Sequence, residues 1–242
     1  MAEKKEQGNA DRVIGILGGM GPEATLDLYR HIINLTPAEK DQDHIQILIY
    51  SNPKIPDRTQ AIVGNGESPL SSLIESAKVL ENSGAGIIAM PCNSAHHYLP
   101  EMRQAIGTPI LDMIAETCIR LRKALPDAES IGLIAAIGTV RSGVYHKALS
   151  TAGVKLLTPG ATDQERIQSA IAHVKAGIHN RSTQELLQSI GARLIKAGAQ
   201  AIILGCTEIP LAFDPDVVGY PSLNSTRILA EAAVDWALGR RK

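Results

Sequence analysis

Short apolar runs punctuated by Gly, Pro or Asn recur along the chain at residues 13–17, 45–50, 87–90, 131–135 and 201–204. Runs of this length without polar alternation suit strands buried on both faces of a parallel sheet. Between them lie longer stretches with helical spacing of apolar positions, at 24–35, 70–82, 114–124, 143–151, 163–177 and 183–197. Strand and helix alternate, which predicts parallel sheets joined by right-handed crossovers.

The two halves of the pattern repeat each other. Ile14-Gly15-Ile16-Leu17 followed by Gly21 lines up with Ile131-Gly132-Leu133-Ile134 followed by Gly138, at an offset of 117. The run from Gly84 to Cys92 aligns with the run from Gly198 to Cys206 at an offset of 114, with Cys eight residues after Gly in both. Two nearly equal offsets predict one α/β unit used twice. Each Cys then follows the last apolar residue of a strand, at the carboxyl edge where open α/β sheets bind ligands.

Composition narrows the functions available. The 242 residues allow one large α/β unit or two small domains, and 44% hydrophobic with 20% charged residues is a globular composition. The formal net charge is -1, and no basic cluster is longer than Arg240, Arg241 and Lys242, so a nucleic-acid footprint is missing. Aromatic residues make up 3%, leaving few platforms for stacking bases or sugars. There is no apolar run of membrane-spanning length and no signal-like start, so a cytoplasmic protein is expected, with residues 1–11 a disordered leader. Three widely spaced cysteines, Cys92, Cys118 and Cys206, argue for reduced thiols over a disulfide framework.

Cys118 falls on the apolar face of a predicted helix, four residues from Ile114 and three from Leu121, and reads as a small core residue. Cys92 and Cys206 are followed instead by hydrogen-bonding residues, Asn93-Ser94 and Thr207-Glu208, as expected at the mouth of a ligand site. Two thiols on opposite sides of a substrate permit a two-sided proton transfer. A thiolate takes the proton from one face of an α-carbon and a thiol returns one to the other face. That chemistry needs one thiol brought toward neutrality from its ordinary pKa of about 8.5.

Gly18-Gly19-Met20-Gly21-Pro22, Pro91-Cys92-Asn93-Ser94-Ala95-His96 and Gly205-Cys206-Thr207-Glu208-Ile209 together resemble the aspartate/glutamate racemase family, aspartate racemase branch. The resemblance implies two similar α/β domains facing each other, a homodimer, and racemisation of an amino acid without pyridoxal phosphate, metal or nucleotide. Cys92 and Cys206 would be the two bases. Asn93, Ser94, Thr139 and Thr207 would bind the α-carboxylate and amino groups, while Arg58 and Lys175 would recognise the distal carboxylate. Met20 and Glu208 complete the implied substrate-binding set. Glu208 stands where the glutamate racemase branch has His, which favours aspartate. Asn224 stands where the family usually has Asp, which removes a charge.

Other readings remain. The resemblance also admits a racemase or isomerase of the same superfamily acting on glutamate, a broader set of amino acids, hydantoins or maleate. Gly19-Met20-Gly21-Pro22-Glu23-Ala24 satisfies G-x-G-x-x-A, the phosphate turn of dinucleotide-binding units, although residues 45–50 end in Ser51-Asn52 without the acidic residue that holds a ribose. Cys92, His96 and His97 could ligate zinc, but their spacing matches no standard pattern; the simpler reading makes His97 a surface residue and His96 a hydrogen-bond partner behind the cysteine. A family member that binds a ligand without turnover is a third reading. The expectation adopted is an α/β protein of two pseudo-symmetric Rossmann-like domains with the active site in the cleft between them. The first comprises residues 12–112 plus a returning segment 220–242, and the second residues 113–219.

Overall fold

The computed structural model describes residues 12–178, 180–213 and 218–241; the expected leader at 1–11 lies outside the described residues. The chain opens with β1 (Ile14–Gly18), whose five residues are all buried, followed by α1 (Pro22–Leu35) and β2 (Ile47–Ser51). Pro22 sits at the start of α1, where its missing N–H and preset φ cost nothing. Ala24, Leu28 and Ile32 then form the buried stripe of that helix. A short helix α2 (Arg58–Ile62), helix α3 (Leu70–Asn82) and strand β3 (Ile87–Ala89) complete the first sheet. Its order is β2-β1-β3, all parallel, and a parallel bridge from Ile88 to Ile110 prolongs it by one position.

After α4 (Leu99–Ala105) and α5 (Met113–Ala124), the pattern starts again with β4 (Ser130–Ile134). Helices α6 (Ile137–Ser142) and α7 (Val144–Thr151) lead to β5 (Lys155–Leu157). Helices α8 (Ala161–Lys175) and α9 (Arg181–Lys196) precede β6 (Ile202–Leu204). The second sheet is β5-β4-β6-β7, again parallel throughout, with β7 (Ser222–Asn224) at its far edge. The central strand, the next strand on its outer side and the third on its inner side occur in the same order in both sheets, so the duplicated pattern corresponds to a duplicated topology.

The sequence pattern places residues 220–242 with the first unit, and this segment divides in the structure. Strand β7 hydrogen-bonds to β6 in the second sheet, with Leu223 in that sheet's core. Only the final helix, α10 (Ser225–Ala237), crosses back, packing on α1 and α5 and burying Leu229, Ala230, Ala233 and Val234 over the first sheet. Strands β5 and β7 were not predicted. At three residues each, with a single buried position in β7 and none in β5, they lack the apolar run that marks the other five.

The helix ends follow local chemistry. The Asp112 carboxylate caps α5 by accepting from the N–H groups of Ile114 and Ala115, and Asn180 caps α9 through Thr183. Asn224 caps α10 in the same way, accepting from Thr226 and Arg227 at 3.0 and 3.1 Å. The amide oxygen thus does the capping that a carboxylate would do at this position.

Cys118 lies on α5, half-buried against the core of the second sheet. Burial, reinforced by the charge of Asp112, pushes its thiol up to about 11. Its folded-state pKa exceeds the unfolded value, so its contribution to stability is complete below pH 9 and is lost as pH rises to about 11. Thermal melts stepped through this window should show Tm falling, and Cys118→Ala should flatten part of the fall. Identical slopes for the two proteins would place the Cys118 thiol in water.

Candidate active site

Both cysteines lie where the pattern placed them, just past the carboxyl ends of β3 and β6, and both are nearly closed to solvent, at 5% and 8% exposure for Cys92 and Cys206. Their settings differ. Cys92 leads into a 3-10 turn, Ser94–Tyr98, and its Sγ lies 3.6 Å from the Ser94 hydroxyl. His96 anchors this turn from behind. Its Nε2 accepts from the Met113 N–H at 3.1 Å, which leaves the proton on Nδ1 to be donated to the Cys92 carbonyl at 2.9 Å. Burial pushes the imidazole pKa down and keeps the ring neutral. His97 is exposed and both nitrogens of His96 are held by backbone, so these side chains do not gather with Cys92 as a metal site.

Cys206 instead donates its S–H to the carboxylate of Glu208, at 3.0 Å. Burial and the adjacent Glu208 charge hold the thiol well above its usual pKa, against the opposing pull of Lys175. The Cys206 thiol is therefore held protonated. Thr207 adds a longer hydroxyl contact to the same Glu208 oxygen, at 3.4 Å.

Arg58 is the first residue of α2, whose start is set by the Asp57 carboxylate accepting from the Gln60 N–H. The guanidinium is buried; it donates to the carbonyls of Ile55, Pro56 and, at 3.4 Å, Met20. Met20 thereby offers a carbonyl to a cation within the Gly-rich turn. That turn exists because Gly19 takes φ +94° with its α-carbon pressed on the backbone of Asn52, where a Cβ would come within 2.5 Å. Lys175 is the last residue of α8 and is exposed. Partial dehydration of its ammonium lowers its pKa, but the Glu208 carboxylate, and then charge on Cys206 and Cys92, outweigh this and hold it above the usual lysine value.

These groups converge. Cys92, Cys206, Met20, Arg58, Asn93, Ser94, Thr139, Lys175, Thr207 and Glu208 all line one cleft between the two sheets. Asp57, Thr59, Ala136 and Gln168 line it as well and were not singled out from the sequence; Asp57 alone carried a local signal, as a carboxylate before a helix start. The cleft is pinched where α2 meets α6. A Cβ on Gly138 would lie 2.7 Å from the Thr59 hydroxyl, so glycine lets the two halves touch over the site. Among the described residues, the buried polar atoms without a hydrogen-bond partner include Arg58 Nε, Thr139 Oγ1 and Glu208 Oε1. A donor, a hydroxyl and an anionic acceptor, all on cleft residues, are left for a ligand that carries both acceptor and donor groups.

Comparison with known proteins agrees with this arrangement. Residues 17–233 match the family model described as Asp/Glu/hydantoin racemase. The chain is 31% identical over 227 residues to the broad specificity amino-acid racemase RacX of Bacillus subtilis (strain 168), covering 92% of this chain and 96% of that protein. The structure of the Picrophilus torridus aspartate racemase superposes with a TM-score of 0.84 at 31% identity, over 93% of this chain and 94% of that one. At 14% identity, the glutamate racemase from Francisella tularensis in complex with D-glutamate shares the fold, with a TM-score of 0.70 over 95% and 82% of the chains. Two parallel sheets facing across a cleft, and a family match that runs through both of them, make this chain a member of the Asp/Glu/hydantoin racemase family, an amino-acid racemase of the kind that works without pyridoxal phosphate.

Proposed function

We propose that the protein interconverts the enantiomers of an acidic amino acid, aspartate first, by proton transfer between Cys92 and Cys206. The observation that carries this reading is the set of unpaired buried atoms Arg58 Nε, Thr139 Oγ1 and Glu208 Oε1 in the cleft that holds both thiols. The guanidinium and hydroxyl suit carboxylates, and the Glu208 oxygen suits an ammonium. In the direction that begins with a Cys92 thiolate, its sulfur takes the α-proton. The bonding pair moves into the carbon and its carboxylate, and Cys206 delivers its S–H proton to the opposite face. The product leaves Cys92 protonated and Cys206 as thiolate, ready for the reverse direction. Arg58 and Lys175 meet the distal carboxylate and stabilise negative charge on whichever sulfur is deprotonated. The same reading has a homodimer acting in the cytoplasm, as the family resemblance implies.

A second reading widens the substrate range. Arg58 spends much of its donor capacity on the carbonyls of Ile55, Pro56 and Met20, which leaves less of it for a substrate side chain. The similarity to RacX favours the same direction. L-Asp, L-Glu and several neutral amino acids incubated in deuterium oxide separate the two readings through α-deuterium incorporation and final handedness. Turnover confined to acidic substrates supports the first, equal turnover of all supports the second, and exchange of none removes both.

Cys92→Ala and Cys206→Ala should each reduce racemisation at least about a thousandfold in both directions, within the range of a lost acid or base. Full activity in either variant, measured by polarimetry or chiral chromatography, refutes the two-thiol mechanism. Arg58→Ala should raise KM for aspartate about tenfold or more while changing neutral substrates little. Equal losses across substrates would assign Arg58 to holding the loop instead.

A further inference from the structure

We infer that Tyr145 and Ser225 are positioning residues that lock the Asn93 side-chain amide with an N–H toward the cleft, making this position a receptor for a substrate carboxylate. The substrate follows from the racemase reading above; the amide orientation does not depend on it.

The orientation follows from counting hydrogens. Ser225, the first residue of α10, has one hydroxyl hydrogen and gives it to the Leu204 carbonyl at 2.9 Å. Its oxygen is then an acceptor for the Asn93 amide end 3.2 Å away, and that end is Nδ2. The other end is Oδ1, which receives the Tyr145 hydroxyl hydrogen at 2.6 Å. Reversing the amide would set Oδ1 against a serine oxygen with no hydrogen to give. Tyr145 is fully buried on α7, and burial pushes its phenol pKa up, so it stays a donor at any working pH. Nδ2 carries a second hydrogen, and Asn93 lines the cleft beside Cys92. That hydrogen faces substrate as a donor, which attracts a carboxylate oxygen and repels an ammonium.

The three residues come from three places: Asn93 follows β3 in the first unit, Tyr145 comes from the second, and Ser225 opens the helix that returns between them. The chain of bonds runs from Tyr145 through Asn93 and Ser225 to Leu204, two residues before Cys206. It therefore joins the backbone beside one thiol to the backbone beside the other. Neither Tyr145 nor Ser225 lines the cleft, so each acts through Asn93.

Tyr145→Phe keeps the ring and removes the donor, and Ser225→Ala removes the acceptor. Either frees the amide to reverse. The carboxylate held here gains charge as the α-proton leaves, so a donor fixed toward it serves the transition state at least as well as the bound substrate. Each variant should therefore lower kcat/KM for the amino acid about tenfold, the effect of roughly one hydrogen bond. Tyr220→Phe, which loses a comparable bond to the Gln188 carbonyl, should leave kcat/KM unchanged. A second readout needs no turnover: in 15N-labelled protein, the Asn93 side-chain amide signals, identified by their loss in Asn93→Asp, should be protected from solvent exchange and lose that protection in Tyr145→Phe and Ser225→Ala. If protection persists in both variants, or kcat/KM stays unchanged in both, the lock is overturned. A loss of kcat/KM matched by Tyr220→Phe overturns it too. If Tyr145→Phe does not fold, Ser225→Ala carries both measurements. If the wild-type protein racemises no amino acid, the racemase reading fails and the amide signals still decide the lock.

Discussion

The N-terminus of α10 is the joint on which the molecule depends. Its first residue hydrogen-bonds the end of β6 and the amide after β3, its cap is Asn224 at the end of β7, and its apolar face is buried over the first sheet. One helix thereby belongs to both halves. Burying Leu229 and its alanine neighbours contributes a few kcal/mol, which is ample to hold the carboxyl edges of two separate sheets face to face. Without that joint each sheet would present a cysteine at its edge, and the distance and angle between them would rest on smaller contacts such as that of α2 with α6 and the bond from Tyr145 to Asn93.

A repeated fold would by itself make a symmetric cleft, with the same surroundings for each thiol. The surroundings break that symmetry. Cys206 faces a buried carboxylate that holds its proton, whereas Cys92 faces a neutral hydroxyl and is backed by a neutral imidazole. Burying Arg58 is tolerable because backbone carbonyls replace its water, and leaving Nε, Thr139 and Glu208 without partners is costly unless a ligand supplies them. The cleft thus offers a ligand a donor, a hydroxyl and an anionic acceptor that other protein groups do not pair.

Much of the fold was legible because buried parallel strands are nearly pure apolar runs, and residues 13–17, 87–90, 131–135 and 201–204 stand out against polar helices. Strands β5 and β7 were not legible, since three residues with at most one buried position carry no period. The loss of charge expected at Asn224 proved to be a helix cap, a role that depends on an amide or carboxyl oxygen alone. The thiols stood out through the repeated pattern of strand and Cys, and Arg58 and Lys175 through the family resemblance, while Gln168 and Thr59 line the cleft only because α8 and α2 pass beside it.

Local pattern determined the alternation of strand and helix, the duplication, and the place of each cysteine at a strand's carboxyl edge, because these rest on spacing within one element. Tertiary structure alone decided that Tyr145, 52 residues from Asn93, would hold its amide, and that β7 and α10 would part company between the two sheets. Hydrogen bonds and charges act over a few ångströms of space irrespective of distance along the chain, so their partners emerge only once the chain has closed on itself.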